Sequence, residues 1–316
     1  MSILKEFKKT DKAMKDVYCD LMMEMAEKDD KIVLLDSDLM SSLSVMPFAK
    51  KFPDRAINCG IQEANMIGVA AGLSAVGFVP FTHTFGCFAS RRCMDQIHIS
   101  AAYARLNVKM VGSDPGITSA YNGGTHQAIE DMAVLRCIPN ITLVEPVDKV
   151  MLKSLLPQIK DKYGVCYIRL NRKMDQQIFE DGTEFELGKG VVAAEGNAAT
   201  IVASGIMLEQ ALAARAILAG EGMDVRVVCM HTWKPIDKEL LVKCAEETGA
   251  IVTAENHTVT GGLGSAVSDA LLDTPVRQRR IGIQDRFGEV GDVSYLLKTM
   301  KMTAEDIANA VREVKK

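Results

Sequence analysis

Apolar strand-like runs alternating with helical stretches predict an α/β chain of two domains, each a mainly parallel sheet flanked by helices. Length and punctuation agree. At roughly 150 residues per domain, 316 residues make about two. A polar, glycine-containing stretch at 174–190 ends one strand–helix series and precedes a fresh one. The domains are therefore expected at 1–175 and 188–316.

The elements follow in order. Residues 14–28 place apolar side chains at helical spacing and end in charges. The run 31–36 (Lys-Ile-Val-Leu-Leu-Asp) is short, apolar and bounded by charge, as befits a strand covered on both faces. Runs at 108–112, 142–145 and 165–170 read the same way in the first domain. Those at 199–204, 224–230, 250–255 and 280–283 do so in the second. Helices are expected between them at 64–76, 127–136, 149–160, 207–221, 238–248 and 264–273.

Composition narrows the function classes. The chain is 48% apolar and 25% charged, and 37 Lys+Arg against 41 Asp+Glu leave a formal net charge of −4. No global basic field exists to hold a phosphate backbone, so nucleic acid is not the expected partner. The longest uncharged apolar run, 66–81, is short for a membrane span and is broken by glycines, so no membrane is expected either. The N-terminus is charged and lacks a signal core, and the eight cysteines form no C-x-x-C pair. Both point to a cytoplasmic protein with reduced thiols. No metal-site spacing and no phosphate-loop, dinucleotide or G-x-S-x-G motif is present.

Three segments carry chemistry. The first, 58–77, opens a helix at Glu63 whose body is small or apolar. Gly68 and Gly72 share a face and would let another backbone come close, at about 1 kcal/mol of helix propensity each. Glu63 is either a desolvated carboxylate suited to sharing a proton or an acidic residue favoured by the helix N-terminus. In the second segment, 80–92, Phe85 and Phe88 lie three apart; on a helix they form an aromatic wall for a flat ring, or else simple core packing. The third, 111–136, follows a strand, is rich in Gly, Ser and Thr, and carries His126 at an expected helix start. Such loops bind ligands in α/β folds, and His126 either exchanges substrate protons or caps its own helix.

The segments Asp36-Ser-Asp-Leu39, Gly60-Ile-Gln-Glu63, Thr84-Phe-Gly-Cys-Phe88, Gly124-Thr-His-Gln-Ala-Ile-Glu-Asp131, Ile138-Pro-Asn-Ile-Thr-Leu-Val-Glu-Pro-Val-Asp148 and Ile168-Arg-Leu-Asn-Arg172, in this order and spacing, resemble the carboxyl-terminal half of transketolase. The resemblance covers nearly the whole chain. It implies a thiamine diphosphate pyrimidine-binding domain followed by a transketolase carboxyl-terminal domain. The implied activity is transfer of a two-carbon ketol unit between sugars or sugar phosphates, as in pentose phosphate metabolism.

By that resemblance Glu63 hydrogen-bonds the cofactor's pyrimidine nitrogen, Phe88 stacks on the ring with Phe85 beside it, and Asp38 touches the cofactor near the thiazolium. His126 faces the substrate and moves its hydroxyl protons. Ser42 and Arg172 match phosphate contacts, and Lys15 stands where an Arg is expected. Three positions depart from the pattern: Asp114 replaces a phosphate-binding His, Asn122 an Asp that reads hydroxyls, and Arg91 a third aromatic. An Asp beside a phosphate repels it, so a different ketose or a shifted phosphate site is implied. The family's G-D-G…N motif for magnesium and diphosphate has no match here. The resemblance therefore implies a split enzyme: an amino-terminal subunit supplies that half, and two copies of each chain form a dimer of heterodimers.

Other readings are the beta subunit of a 2-oxo acid dehydrogenase and a non-catalytic scaffold or regulatory subunit. In the second domain, the glycines of 255–264 could cradle an anion at a helix N-terminus, although structure and dimer contacts are the expected role. His231, His257 and Trp233 are expected in packing or at an interface, His98 on a helix surface, and His83 near the cofactor segment, lining a substrate channel.

Overall fold

A computed structural model describes residues 3–316. Its chain divides into two compact units: Leu4–Pro115 with Val134–Leu187, and Gly116–Ala133 with Gly188–Lys316.

The first unit contains β1 (Ile3–Lys9), α1 (Met14–Lys28), β2 (Ile32–Asp36), α2 (Met46–Lys51), β3 (Ala56–Asn58), α3 (Glu63–Ala75), β4 (Val79–Phe85) and α4 (Gly86–Ala89). It continues through α5 (Met94–Gln96), which runs on as a wider helical turn to Tyr103, and β5 (Lys109–Ser113). After α6 (Asp131–Arg136), within which the chain changes unit, come β6 (Thr142–Val144), α7 (Lys149–Asp161), β7 (Cys166–Leu170) and β8 (Gln176–Phe179).

The sheet order in this unit is β6–β7–β5–β4–β2–β3, with every neighbouring pair parallel. All carboxyl ends therefore share one edge. The chain steps from β2 out to β3 and returns across β2 to β4, and such a switch of direction is where α/β sheets open a crevice. Strands β2, β5 and β7 are buried at every residue, which is why they read as continuous apolar runs. Asp148 caps α7 through Met151 N–H (2.9 Å) and also accepts from the backbone of Ile178 and Phe179, tying β8 to that helix.

Several expectations need correction. Strand β4 lies in the middle of the sheet, although its sequence (Val-Pro-Phe-Thr-His-Thr-Phe) does not read as an apolar strand. His83 within it lines no channel. Its ring is fully buried, with Nε2 2.6 Å from the Tyr18 hydroxyl and Nδ1 3.2 Å from the Leu35 carbonyl. Burial pushes its pKa down to about 4, so it is a neutral core residue. Helix α6 begins at Asp131 rather than 127, which leaves His126 in a turn ahead of it.

The second unit contains β9 (Val191–Ala194), β10 (Thr200–Ala203), α8 (Met207–Gly220), β11 (Arg226–Cys229), β12 (Thr232–Lys234), α9 (Lys238–Thr248), β13 (Ala250–Thr258), α10 (Leu263–Ala270), β14 (Arg277–Ile283), α11 (Val293–Thr299) and α12 (Ala304–Lys315). Its sheet runs β14–β13–β10–β11–β9, parallel except for β9. Trp233 donates to Ser204 Oγ (3.1 Å) and meets the His257 ring edge-on, and His231 is buried beside Thr232. These three side chains pack the core of this unit. Among the described residues no helix is long and apolar enough to cross a membrane.

Candidate active site

The parallel order gathers the chemistry-bearing residues of the first unit on its carboxyl edge. Glu63 is the first residue of α3, reached from β3 through a turn at Gly60, whose φ of +71° suits glycine. Asn58, at the end of β3, sets that turn. Its carbonyl oxygen accepts from Gly60 N–H (2.9 Å) and Asp38 N–H (3.2 Å), and its amide donates to the Asp38 carboxylate (3.1 Å). Asp38 is exposed and left-handed (φ 62°), so strain is held where the cofactor-facing side chain is expected.

Glu63 is 1% exposed. A buried carboxylate must be satisfied by hydrogen bonds or charge, and two side chains satisfy it. Thr84, at the end of β4, donates its hydroxyl to Oε1 (3.2 Å). Arg92 Nη1 reaches Oε1 at 3.1 Å and Oε2 at 2.9 Å. The same guanidinium lies over the Phe88 ring, its Cζ 3.8 Å from the centroid. Phe85 ends β4 while Phe88 sits one turn later in α4, so the rings meet edge to face at 6.2 Å and 68° rather than as one flat wall.

A second charged group stands on the same edge. Arg172, beyond β7, donates from Nε to Asp114 (2.7 Å) and from Nη1 to the Ser42 backbone carbonyl (3.0 Å), while its Cζ lies 5.2 Å from the Phe85 centroid. Asp114 is buried and left-handed (φ 53°). Burial pushes its carboxyl pKa up, and Arg172 pulls against that. Ser42 thus meets Arg172 with its carbonyl rather than its hydroxyl.

Asn122 and His126 belong to the second unit, on Gly116–Ala133. Asn122 is exposed and His126 half-buried, with Nδ1 2.9 Å from Thr125 Oγ1 and its carbonyl accepting from Ser119 (2.8 Å). This segment kinks at Ala120 (φ 47°), another strained non-glycine position. Gln127 fastens it to the Glu289 carbonyl (2.9 Å), and Asn256 Oδ1 accepts from Ile117 N–H.

Arg92, Thr84 and Asn58 were not singled out from the sequence. Arg92 did carry a signal: positions 64–90 contain no Asp, Glu, Lys or Arg, so the twin arginines that end this stretch are charges with a purpose.

An open parallel sheet with a buried carboxylate, aromatic rings and a charged pair converging on its carboxyl edge defines a ligand-binding α/β domain of the kind that holds a flat ring. The family model for the transketolase pyrimidine binding domain matches residues 10–176, and that for the transketolase C-terminal domain matches residues 188–307. The chain belongs to the transketolase family, whose members depend on thiamine diphosphate. It is 51% identical over 302 residues (95% of this chain, 94% of that protein) to the 6-deoxy-6-sulfo-D-fructose transketolase subunit SqwH of Clostridium sp. strain MSTE9. It is 38% identical over 306 residues (96% of each) to a putative transketolase C-terminal section of Methanocaldococcus jannaschii. Among solved structures it superposes on a split gene transketolase described as an inactive beta4 tetramer, with a TM-score of 0.88 at 42% identity, covering 96% of this chain and 98% of that one.

Proposed function

We propose that this chain is the carboxyl-terminal subunit of a two-chain transketolase, with domains at 1–175 and 188–316. The enzyme transfers a two-carbon ketol unit from a ketose to an aldose with thiamine diphosphate and magnesium. It is active only with an amino-terminal, diphosphate-binding partner. The observation that carries this reading is the grouping of Glu63, Phe88 and Arg92. A planar cation lies over one ring while hydrogen-bonding both oxygens of a buried carboxylate. An aminopyrimidine offers the same flat face and a hydrogen-bonding edge, so the residues fit the group.

When bound, thiamine diphosphate supplies the electron sink that lets a carbon–carbon bond beside a carbonyl break. The chain's own residues prepare it. Glu63 holds a proton against the ring nitrogen in a site shielded from water, where one positioned acid–base group contributes about 10²–10⁴-fold. Thr84 orients that carboxylate, Phe88 and Phe85 orient the ring, and Asp38, fixed by Asn58, is assigned to the thiazolium end. His126 is assigned the substrate's hydroxyl protons and Asn122 a hydroxyl contact.

Ser42, Asp114 and Arg172 are assigned the substrate's charged end, and their charges favour a particular class. The Arg172–Asp114 pair sums to zero, and two of the guanidinium nitrogens are already engaged. A dianionic phosphate meets the repulsion of Asp114 twice over, a monoanion half as much. We therefore assign a terminal sulfonate to the donor ketose, in keeping with the substrate in the name of the SqwH relative.

The Gly68/Gly72 face of α3 is exposed, ends beside the 73%-exposed Val76, and has open space around both glycines. We assign it to subunit packing in a dimer of heterodimers. The related split-gene chain described as an inactive tetramer supports the need for a partner. A cytoplasmic location with reduced thiols is part of this reading.

Reconstitution tests the reading. The chain with its partner, supplied with cofactor and magnesium, should transfer a ketol unit from 6-deoxy-6-sulfo-fructose to an aldehyde acceptor, and neither chain alone should do so. A complex that binds cofactor yet accepts no ketose would favour the 2-oxo acid dehydrogenase reading.

A further inference from the structure

Arg92 holds both of the contacts that an aminopyrimidine needs, the Glu63 carboxylate and the Phe88 face. The two ends of this ion pair are unlike. Glu63 is 1% exposed, whereas the Arg92 side chain is 44% exposed. Arg92 lies on the short turn Arg91–Cys93, which follows Ser90 and is not part of the sheet. Its guanidinium can therefore withdraw into water with little loss, because a half-exposed cation is nearly as well solvated outside as in. Glu63 cannot leave and must keep a partner. Thr84 supplies one hydrogen bond from the protein interior, on the β4 side, and does not compete for the Phe88 face.

We propose that Arg92 is an intramolecular stand-in for the cofactor's pyrimidine. It satisfies Glu63 and covers Phe88, and it swings outward as the ring enters, so it sets the affinity for thiamine diphosphate. The inference rests on the function proposed above and deepens it: cofactor binding is an exchange of one flat hydrogen-bonding group for another. Every mole of cofactor bound breaks one Arg92–Glu63 pair, and removing the arginine removes the competitor.

The test is titration of the complex with its amino-terminal partner by thiamine diphosphate in excess magnesium, read by calorimetry and by stopped-flow loading rate. Three proteins are compared: wild type, Arg92→Ala and Arg92→Gln. A half-exposed ion pair contributes modestly, so Arg92→Ala should bind the cofactor about three- to tenfold more tightly and load faster. Arg92→Gln should lie between, because its amide can still bond Glu63 without charge. Melting curves of the variants establish that they are folded. Equal or weaker binding by both folded variants overturns the proposal and makes Arg92 a positioning group for the cofactor or a plain structural ion pair. A wild-type complex that binds no cofactor fails the functional reading itself, a separate outcome.

Discussion

Two buried glutamates stand at the heads of two helices, one in each unit, and they have opposite fates. Glu63 heads α3, and the charge that answers it is a half-exposed arginine. Glu255, in β13, faces the N-terminus of α10 and accepts from the backbone N–H groups of Leu263 and Gly264, with His257 alongside. The glycine-rich turn that could have cradled a bound anion is filled by the protein's own carboxylate. A Cβ on Gly262 would lie 2.0 Å from Glu255 Oε2, so the turn is fitted to that side chain. Burial alone does not mark a carboxylate as functional. What matters is whether its partner can leave, and backbone amides cannot.

The sharpest way to break this contrast is to neutralise each glutamate. Glu63→Gln should keep the fold, by circular dichroism, and lower kcat of the reconstituted enzyme about 10²–10⁴-fold. Glu255→Gln should lower the melting temperature and leave kcat per folded molecule unchanged. Equal kinetic losses in both would erase the distinction. Gly262→Ala probes the structural half: crowding at Glu255 should cost about 1–3 kcal/mol in denaturant unfolding, and a neutral effect would mean the turn adapts freely.

The first unit's other charged pair gives a smaller effect. Asp114→Asn removes the carboxylate beside Arg172. The ratio of kcat/KM for the phosphate over the sulfonate ketose should then rise roughly tenfold, the equivalent of about 1.4 kcal/mol. A ratio that does not move would place specificity elsewhere.

A further effect is on stability against pH. Asp36 is buried, its Oδ1 accepts from Leu39 N–H, and burial raises its pKa from 3.8 to about 6. The folded state therefore favours the neutral acid. Between about pH 3.8 and 6 the folded chain binds more protons than the unfolded one, so this group's contribution falls as pH rises through that window. Asp36→Asn should be neutral near pH 3.8 and stabilising by roughly 3 kcal/mol at pH 7.5, two pKa units at about 1.4 kcal/mol each. Chemical unfolding at both pH values checks the sign.

Legibility followed the same physics. Strands β2, β5, β7, β10 and β11 lie buried on both faces, so apolar runs announced them. Strand β4 was hidden because four of its five buried positions, all but Phe81, hold Pro80, Thr82, His83 and Thr84 instead of aliphatic side chains, and two of the polar ones answer partners elsewhere in the chain: Tyr18 for His83 and Glu63 for Thr84. Helix α12 also went unread, despite the reciprocal Thr303–Asp306 capping box at its start. Glu63, Phe85 and Phe88 were visible because a lone carboxylate and paired aromatics stand out against small apolar neighbours. Arg92 was not, because its meaning lies 29 residues away at Glu63, and only the fold brings them to 2.9 Å.

On the function proposed above, this carboxyl edge is one half of a cofactor site. Calorimetric titration with thiamine diphosphate and magnesium tests it most directly, first with this chain alone and then with its amino-terminal partner. Heat of binding is expected only in the mixture. Tight binding by the single chain would contradict it, because the diphosphate and metal would then be held by residues of this chain.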